Sequence, residues 1–485
     1  MKDLPGHGTL VKDRGYRQVW RFEVAGKAYY LKFYPRRGLR LKRAFRGNPA
    51  MREFLRLQQL QKASVPAPRP CNVLVGYTLN GQLGDAVVIE GIEPSVQLDQ
   101  YLSDCKLRGE PIPNHLEIAE RLRALIGQLG RAGLGHADLH LGNILMRDGE
   151  LFLLDGYALR SGGLRQNDLL LLGHSVNRFA TRTDLYRAWS EWTGGSPPPA
   201  ANRVSGRQFR KLVERSTQEN DWFGRLSVGP WRGYFFKKSK FPRRWATSSG
   251  LSINASDWQK VWPAIFDQMN AGKLTPLKRS RSGDVWAAQI NIGGRELDVV
   301  IKRPFKRYWY RYINEIGRGS RAWRAWKKAW TLIARNIPTA WPLAMLEKRT
   351  LGYVTDSVII FERVPGATLD AADLDAIEPS ARRSLFFRTG RILRLIESWG
   401  YSHFDAKSSN WIVCPDEKLG PRPVLIDVDG IRHRRWIALG IDRLLRSMRE
   451  HKQYTPKDSL DLCQGYSPRA KLFARPSAEK QPTSH

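Results

Sequence analysis

The sequence predicts an α+β protein built as two tandem domains, each a β-rich lobe followed by an α-helical lobe. Three observations carry that expectation. A short polar motif occurs twice, as HADLHLGNIL at residues 136–145 and as HFDAKSSNWIV at residues 403–413. The step from aspartate to asparagine is the same in both, Asp138 to Asn143 and Asp405 to Asn410. The flanking sequence then aligns outward in the same order around each motif, which is the mark of duplicated domains rather than of a solenoid.

At 485 residues the chain is too long for one ordinary core and suits two or three domains. A hydrophobic content of 42% with 11% aromatics excludes a disordered polymer. The formal net charge of +34 favours anionic partners: nucleic acid, acidic lipid headgroups or phosphorylated substrates. Cys71, Cys105, Cys414 and Cys463 form no CxxC pair and have no zinc-ligand spacing, so reduced, cytoplasmic thiols are expected. The opening MKDLPGHGTLVKDRG has no apolar leader segment, and no run of about 18 apolar residues exists to span a bilayer. Membrane contact is therefore expected to be peripheral.

The order of elements is read from the amino end. KAYYLKFYP (27–35) corresponds to LDVVIKRPF (297–305), two β-type runs carrying Lys32 and Lys302. Helical patterns follow, AMREFLRLQQLQ and AWRAWKKAWTLI, each leading into a proline-containing link, KASVPAPRP (62–70) or ARNIPTAWP (334–342). Apolar strands come next, AVVIEGIEP (86–94) and SVIIFERVPG (357–366). Beyond the polar motifs, LFLLDGYALR (151–160) matches VLIDVDGIR (424–432), aligning Asp155 with Asp427 and Arg160 with Arg432. NDLLLLGHS and IDRLLRSMR then open helices on Asp168 and Asp442, which serve either as helix N-caps or as supports beneath the polar loop.

These residue types in this order suit phosphoryl transfer from Mg·ATP, a reaction that needs positioning and charge neutralisation more than covalent help. Asp138 and Asp405 are candidates to orient the acceptor hydroxyl and take its proton. Asn143 with Asp155, and Asn410 with Asp427, offer the hard oxygen donors that magnesium prefers. Lys32 and Lys302 are placed to hold phosphates, Lys32 with Glu53 as its helix partner. His140 and Lys407 stand two residues after their aspartates and can face the transferring group, His140 either protonated or as a neutral donor. In the second copy Ala325 falls where Glu53 stands in the first, with Glu315 as a substitute from the preceding segment. The loops KDRGYRQVWRF (12–22) and KRSRSGDVWAA (278–288) offer one glycine each, Gly15 and Gly283, beside basic residues. Neither is a GxGxxG, and no Walker A sequence is present, which disfavours a P-loop fold.

HADLHLGNIL resembles the catalytic loop of aminoglycoside-type phosphotransferases. HFDAKSSNWIV, VLIDVDGIR and SRAWRAWKKAWTLIARNIPTAWPLA resemble the lipopolysaccharide core kinases that phosphorylate Kdo or heptose sugars. The resemblance covers roughly 10–190 and 275–450. It implies two protein-kinase-like bilobal domains, with Asp138 and Asp405 on the acceptor side. It also implies Asn143, Asp155, Asn410 and Asp427 on magnesium, and Lys32 and Lys302 on phosphate. Asp429 competes with Asp427 for the metal role, and the alanine at 325 puts the second copy's turnover in question.

The expected boundaries are 1–240 for the first domain, 241–274 for a linker rich in Ser and Gly, 275–466 for the second domain and 467–485 for a disordered tail. Basic inserts at 35–47 and 305–321, with a third cluster at 235–245, are expected to meet a phosphorylated glycolipid at the acidic inner face of the plasma membrane. Trp323, Trp326 and Trp330 share a helix face and read either as core or as part of that surface. The rival readings are nucleic-acid binding on a kinase-fold scaffold, a regulatory pair without catalysis, and a protein kinase.

Overall fold

The computed structural model describes residues 8–13, 15–36, 47–107, 112–176, 179, 211, 213–214, 217–219, 222–237, 252–305, 319–335, 337–416, 420–433 and 439–467. The protein is mixed α/β and divides into two compact units, residues 1–199 and 200–485.

In the first unit β1 (Thr9–Asp13), β2 (Gln18–Val24) and β3 (Lys27–Pro35) run antiparallel. α1 (Pro49–Lys62) follows, then β4 (Pro70–Leu79) and β5 (Gln82–Glu90), closing a sheet of order β1-β2-β3-β5-β4. The aromatic and β-branched content of β3 suits a strand, and its period of two sorts the side chains. Leu31 and Phe33 join Phe22, Ala86 and Val88 on one face, while Tyr34 packs with Val87, Ile89 and α1 on the other. Lys32 lies on the face with Tyr34. α1 starts where Asn48 accepts from the N–H groups of Ala50 (2.9 Å) and Met51 (3.2 Å), with Pro49 pre-set for the first turn.

The rest of the unit is β6 (Val96–Gln97), α2 (Leu98–Leu107), α3 (His115–Arg131), β7 (Leu134–His136), β8 (Ile144–Arg147), β9 (Glu150–Leu153), β10 (Leu159–Ser161) and α4 (Gln166–Val176). β6-β8-β9 and β7-β10 form small antiparallel sheets that carry the polar loop 137–143 between them.

The second unit begins earlier than expected. β11 (Phe223–Val228) and β12 (Trp231–Phe236) form a hairpin that hydrogen-bonds to β16, so residues expected in the first domain complete the second unit's sheet. Gly233 permits this, since a Cβ there would lie 1.8 Å from the Met345 carbonyl oxygen. The expected linker also differs. Within 241–274, α5 (Ala255–Asn270) is a helix opened by an Asn254/Asp257 capping box. Its Trp258, Trp262, Ile265 and Met269 recur at helical spacing and are buried with Leu226 and Trp231. The Ser/Gly-rich signal thus ends in an N-cap, while residues 238–251 lie outside the described ones.

β13 (Thr275–Ser280), β14 (Gly283–Ile292), β15 (Arg295–Pro304), α6 (Arg321–Ile333), β16 (Pro342–Thr350) and β17 (Tyr353–Glu362) finish a seven-stranded sheet of order β11-β12-β16-β17-β15-β14-β13. There follow β18 (Ala367–Thr368), α7 (Pro379–Ser398), β19 (Ser402–His403), β20 (Trp411–Cys414), β21 (Arg422–Leu425), β22 (Ile431–Arg432), α8 (Leu439–Arg449) and α9 (Pro456–Tyr466). Trp326 and Trp330 are core residues, packed edge-on or tilted against Phe223, Phe236 and Trp341, while Trp323 stacks on Tyr234. Most of the basic inserts (37–46 and 306–318), the cluster after Lys237 and the tail from 468 lie outside the described residues. No helix among the described residues is long and apolar enough to cross a membrane.

Candidate active site

In the first unit β3 and α1 bring Lys32 and Glu53 together at 2.5 Å. Glu53 is wholly buried and also accepts from the Tyr34 hydroxyl. A buried carboxylate is tolerated only when its oxygens are satisfied, and here each has a donor. Burial, with Glu53 beside it, pushes the Tyr34 hydroxyl well above its ordinary range, so it stays a donor.

The polar loop folds on itself. The Asn143 Nδ2 donates to the Asp138 carbonyl (2.8 Å) and to its Oδ2 (3.2 Å). That commitment leaves the Asn143 carbonyl oxygen for a hard cation. Leu154 N–H donates to the Asn143 backbone oxygen at 2.8 Å, which sets Asp155 beside the loop. Asp155 itself has φ +62°, a left-handed conformation that turns its carboxylate away from the strand line. The next residue must be small: a Cβ on Gly156 would sit 2.7 Å from Leu57 and 3.2 Å from Glu53.

His140 Nδ1 accepts from Gly142 N–H at 3.1 Å, so its proton belongs on Nε2, which lies 3.5 Å from Asp138 Oδ2. The neutral donor form therefore suffices. His140 holds the Asp138 carboxyl at about 2; burial opposes this and Asn143 assists. Burial also works against the Asp155 charge, yet Lys32 and Arg17 keep its carboxyl below the usual range. Arg17, from the β1–β2 turn, reaches Asp155 Oδ1 at 3.0 Å. Gly15 has φ +71° in that turn, and its N–H is taken by Asp13 at 2.6 Å.

The second unit repeats the loop with different anchoring. Asn410 Nδ2 donates to the Asp405 carbonyl (2.6 Å) and Oδ2 (3.3 Å), and Ile426 N–H donates to Asn410 O at 3.0 Å. Lys407 and Arg443 each lie 3.7 Å from the Asp405 carboxylate. Ala325 is buried and carries no charge, so Lys302 turns to Asp427 (3.7 Å) and the Ile426 carbonyl (3.2 Å). Burial again opposes ionisation, and Lys302 with the Asp429 N–H holds the Asp427 carboxyl low. Asp429 is engaged by α6: Arg321 reaches its carboxylate at 2.9 Å and Lys328 its backbone oxygen at 2.8 Å. Asp427, beside Lys302 and Asn410, thus takes the place that Asp155 holds in the first unit. Lys328 is drawn inward by that Asp429 oxygen. Gly283 has φ +148°, and a Cβ there would meet Arg303 O at 2.7 Å. Glu315, the expected substitute for Glu53, lies outside the described residues. A cavity of about 480 Å³, within the range of small-ligand sites, is lined by Lys302, Arg321, Ala325, Phe361, Asn410 and Asp427.

Each unit therefore gathers its expected lysine, aspartates and asparagine. Sequence reasoning missed Arg17, Tyr34, Arg321 and Arg443, whose roles depend on tertiary position; the basic cluster in 12–22 was the only signal for Arg17. Among the described residues no group of three or more His, Cys, Asp or Glu could hold a metal by itself. One carboxylate and one amide oxygen per unit nonetheless fit magnesium, which keeps few protein ligands and takes the rest from water and phosphate.

No curated relative matches the chain. The structure titled WaaP in complex with acyl carrier protein is similar at 22% identity and a TM-score of 0.33, over 43% of this chain and 87% of that one. A thermostable mutant of an aminoglycoside phosphotransferase, in ternary complex with AMP-PNP and hygromycin B, is similar at 9% identity and a TM-score of 0.29, over 43% and 84%. Residues 6–158 match the model of the Lipopolysaccharide kinase (Kdo/WaaP) family, a stretch that takes in Lys32, Glu53, Asp138, Asn143 and Asp155. The family matched is the one the motifs resembled, although the motifs quoted for it stand in the second copy and the match falls on the first; it supports a phosphotransferase of the kinase class.

Proposed function

We propose that the chain is a tandem of two kinase-like domains whose first unit phosphorylates a sugar hydroxyl of a lipopolysaccharide core, using Mg·ATP. The Lys32–Glu53 pair carries this reading. A lysine fixed by a wholly buried carboxylate is pre-positioned for phosphate, and it stands in the same unit as Asp138, Asn143 and Asp155. When bound, magnesium would neutralise phosphate charge, with Asn143 and Asp155 as its protein ligands. Asp138 orients the acceptor hydroxyl and takes its proton as the oxygen bonds to the γ-phosphorus and the bond to ADP breaks. His140 Nε2–H keeps Asp138 charged and faces the same space. Lys302, Asp405, Lys407, Asn410 and Asp427 make the second cleft a further nucleotide site with slower turnover, because among the described residues the helix offers Lys302 Ala325 and no carboxylate. The net charge of +34 supports a peripheral position at an acidic membrane face, next to a phosphorylated glycolipid acceptor.

The test is transfer from labelled ATP to core oligosaccharides, with lipid, peptide and RNA as alternative acceptors. Asp138→Asn is expected to lower the rate about 10³-fold, within the usual range for removing a proton acceptor. Asp405→Asn is expected to cost less than about threefold if the first unit carries turnover. Full transfer by the double variant would refute the assignment.

A further inference from the structure

We infer that Arg17 is a phosphate-binding residue of the first cleft: it rests on Asp155 in the structure described and passes to the β- and γ-phosphates when nucleotide enters. The inference rests on the reading of this cleft as a nucleotide site. Three observations lead to it.

The first is position. Arg17 sits in the turn between β1 and β2, yet its guanidinium is turned inward to within 3.0 Å of Asp155 Oδ1, with its side chain 13% exposed. A side chain that reaches the carboxylate that would hold the metal is also placed to meet a phosphate entering beside it. A guanidinium prefers phosphate for its bidentate geometry and keeps its charge at any working pH.

The second is what the turn lacks. A phosphate-covering loop ordinarily works through several backbone N–H groups freed by glycines. Here the described residues of the turn include one glycine, and its N–H is already given to Asp13 at 2.6 Å. The guanidinium supplies the donors that the backbone does not.

The third is the other unit, where the residue at this register position carries no charge. Val19 pairs with Lys32 across the strands, and Val285 pairs with Lys302, so Arg17 corresponds to Gly283. There the arginine on the acidic turn is Arg321, and it comes from α6 and pairs with Asp429 instead. Arg17 is thus a feature of the first cleft, beside the intact Lys32–Glu53 pair.

The experiment titrates the full chain with Mg·AMP-PNP and, separately, adenosine. It reads first-unit affinity as amide-exchange protection in peptides spanning 134–161. Arg17→Gln is expected to weaken Mg·AMP-PNP about tenfold and leave adenosine unchanged, with partial recovery in Arg17→Lys. Three results would overturn the inference: unchanged Mg·AMP-PNP affinity, an equal loss for adenosine as a merely structural role requires, or tighter binding as a simple plug on the metal seat requires. Absence of nucleotide protection in the unaltered chain would instead remove the underlying reading of the cleft.

Discussion

The two units solve one problem with different anchors. In the first, Lys32 is held from the helix side by Glu53, and the acidic turn is steadied by Arg17. In the second, the helix offers Ala325 and cations, so Lys302 falls back on Asp427 and Arg321 takes Asp429. The polar loops themselves are nearly superposable in their bonding, asparagine to aspartate and strand amide to asparagine. The bonding within the loop is thus independent of the lysine's partner.

The largest contrast lies beneath the loops. Asp168, buried in the first turn of α4, pairs with Arg160 and accepts from Arg165 N–H at 3.0 Å. Arg160 belongs to β10, which pairs with β7 just before the polar loop. Asp442 is exposed instead, and Arg432 stacks over Phe404 at 4.7 Å. The two aspartates that read alike in sequence are therefore a support in one unit and a surface residue in the other. Asp168→Ala is expected to cost the first unit about 3 kcal/mol, because it strands the half-buried Arg160 guanidinium and leaves the Arg165 N–H without its acceptor. Asp442→Ala is expected to stay within about 0.5 kcal/mol. Denaturant unfolding followed by amide exchange in each unit measures both, and equal losses would erase the distinction.

Burial of the histidines sharpens the comparison next. His403 is buried, its Nδ1 accepts from Asp405 N–H at 3.2 Å, and Asp405, Asp427 and Lys328 surround it. Burial holds it neutral down to about 4, against an ordinary 6.5. An unfolded chain takes this proton near 6.5 and the folded one only near 4. Stability of the second unit therefore falls as pH drops through that window, by as much as about 3 kcal/mol, and no further below it. His136 moves in the same direction through burial. His403→Asn is expected to flatten the acid dependence of the second unit alone; an undiminished slope in urea midpoints between pH 6.5 and pH 4 would show that other groups set it.

How much of this was legible in the sequence follows from range. The polar loops were readable because their chemistry lies within eight residues of chain, and Lys32 because a β-type run fixes which face it occupies. Glu53 was readable as the acid on the helix that follows the strand lysine. The hairpin 223–236 was not, since its partner strand lies over a hundred residues away and only Gly233 marks the close approach. Ser175 and Ser447 were missed for the same reason. Each sits on a distant helix and accepts a backbone N–H of the polar loop at 3.1 Å, from Leu141 and from Ser408. The linker was misread because serine and glycine before a helix signal a cap as readily as a hinge.

The lysine anchor offers the finest test of the comparison. Glu53→Ala leaves Lys32 without its buried partner and facing the charge of Asp155, much as Lys302 faces Asp427 in the second unit. The expected loss is about 100-fold in transfer, of the size produced by small misplacements of a positioning group. Ala325→Glu is the reciprocal change: a carboxylate at the cavity wall would compete with Asp427 for Lys302. If the anchor is what separates the units, Ala325→Glu raises nucleotide affinity or turnover in the second cleft, read in an Asp138→Asn background, while Glu53→Ala lowers the first towards it. If neither cleft moves, the difference between them lies instead in the arginines, Arg17 from the turn and Arg321 from the helix. The contrast would then rest on which element brings a cation to the acidic turn, and not on how the lysine is held.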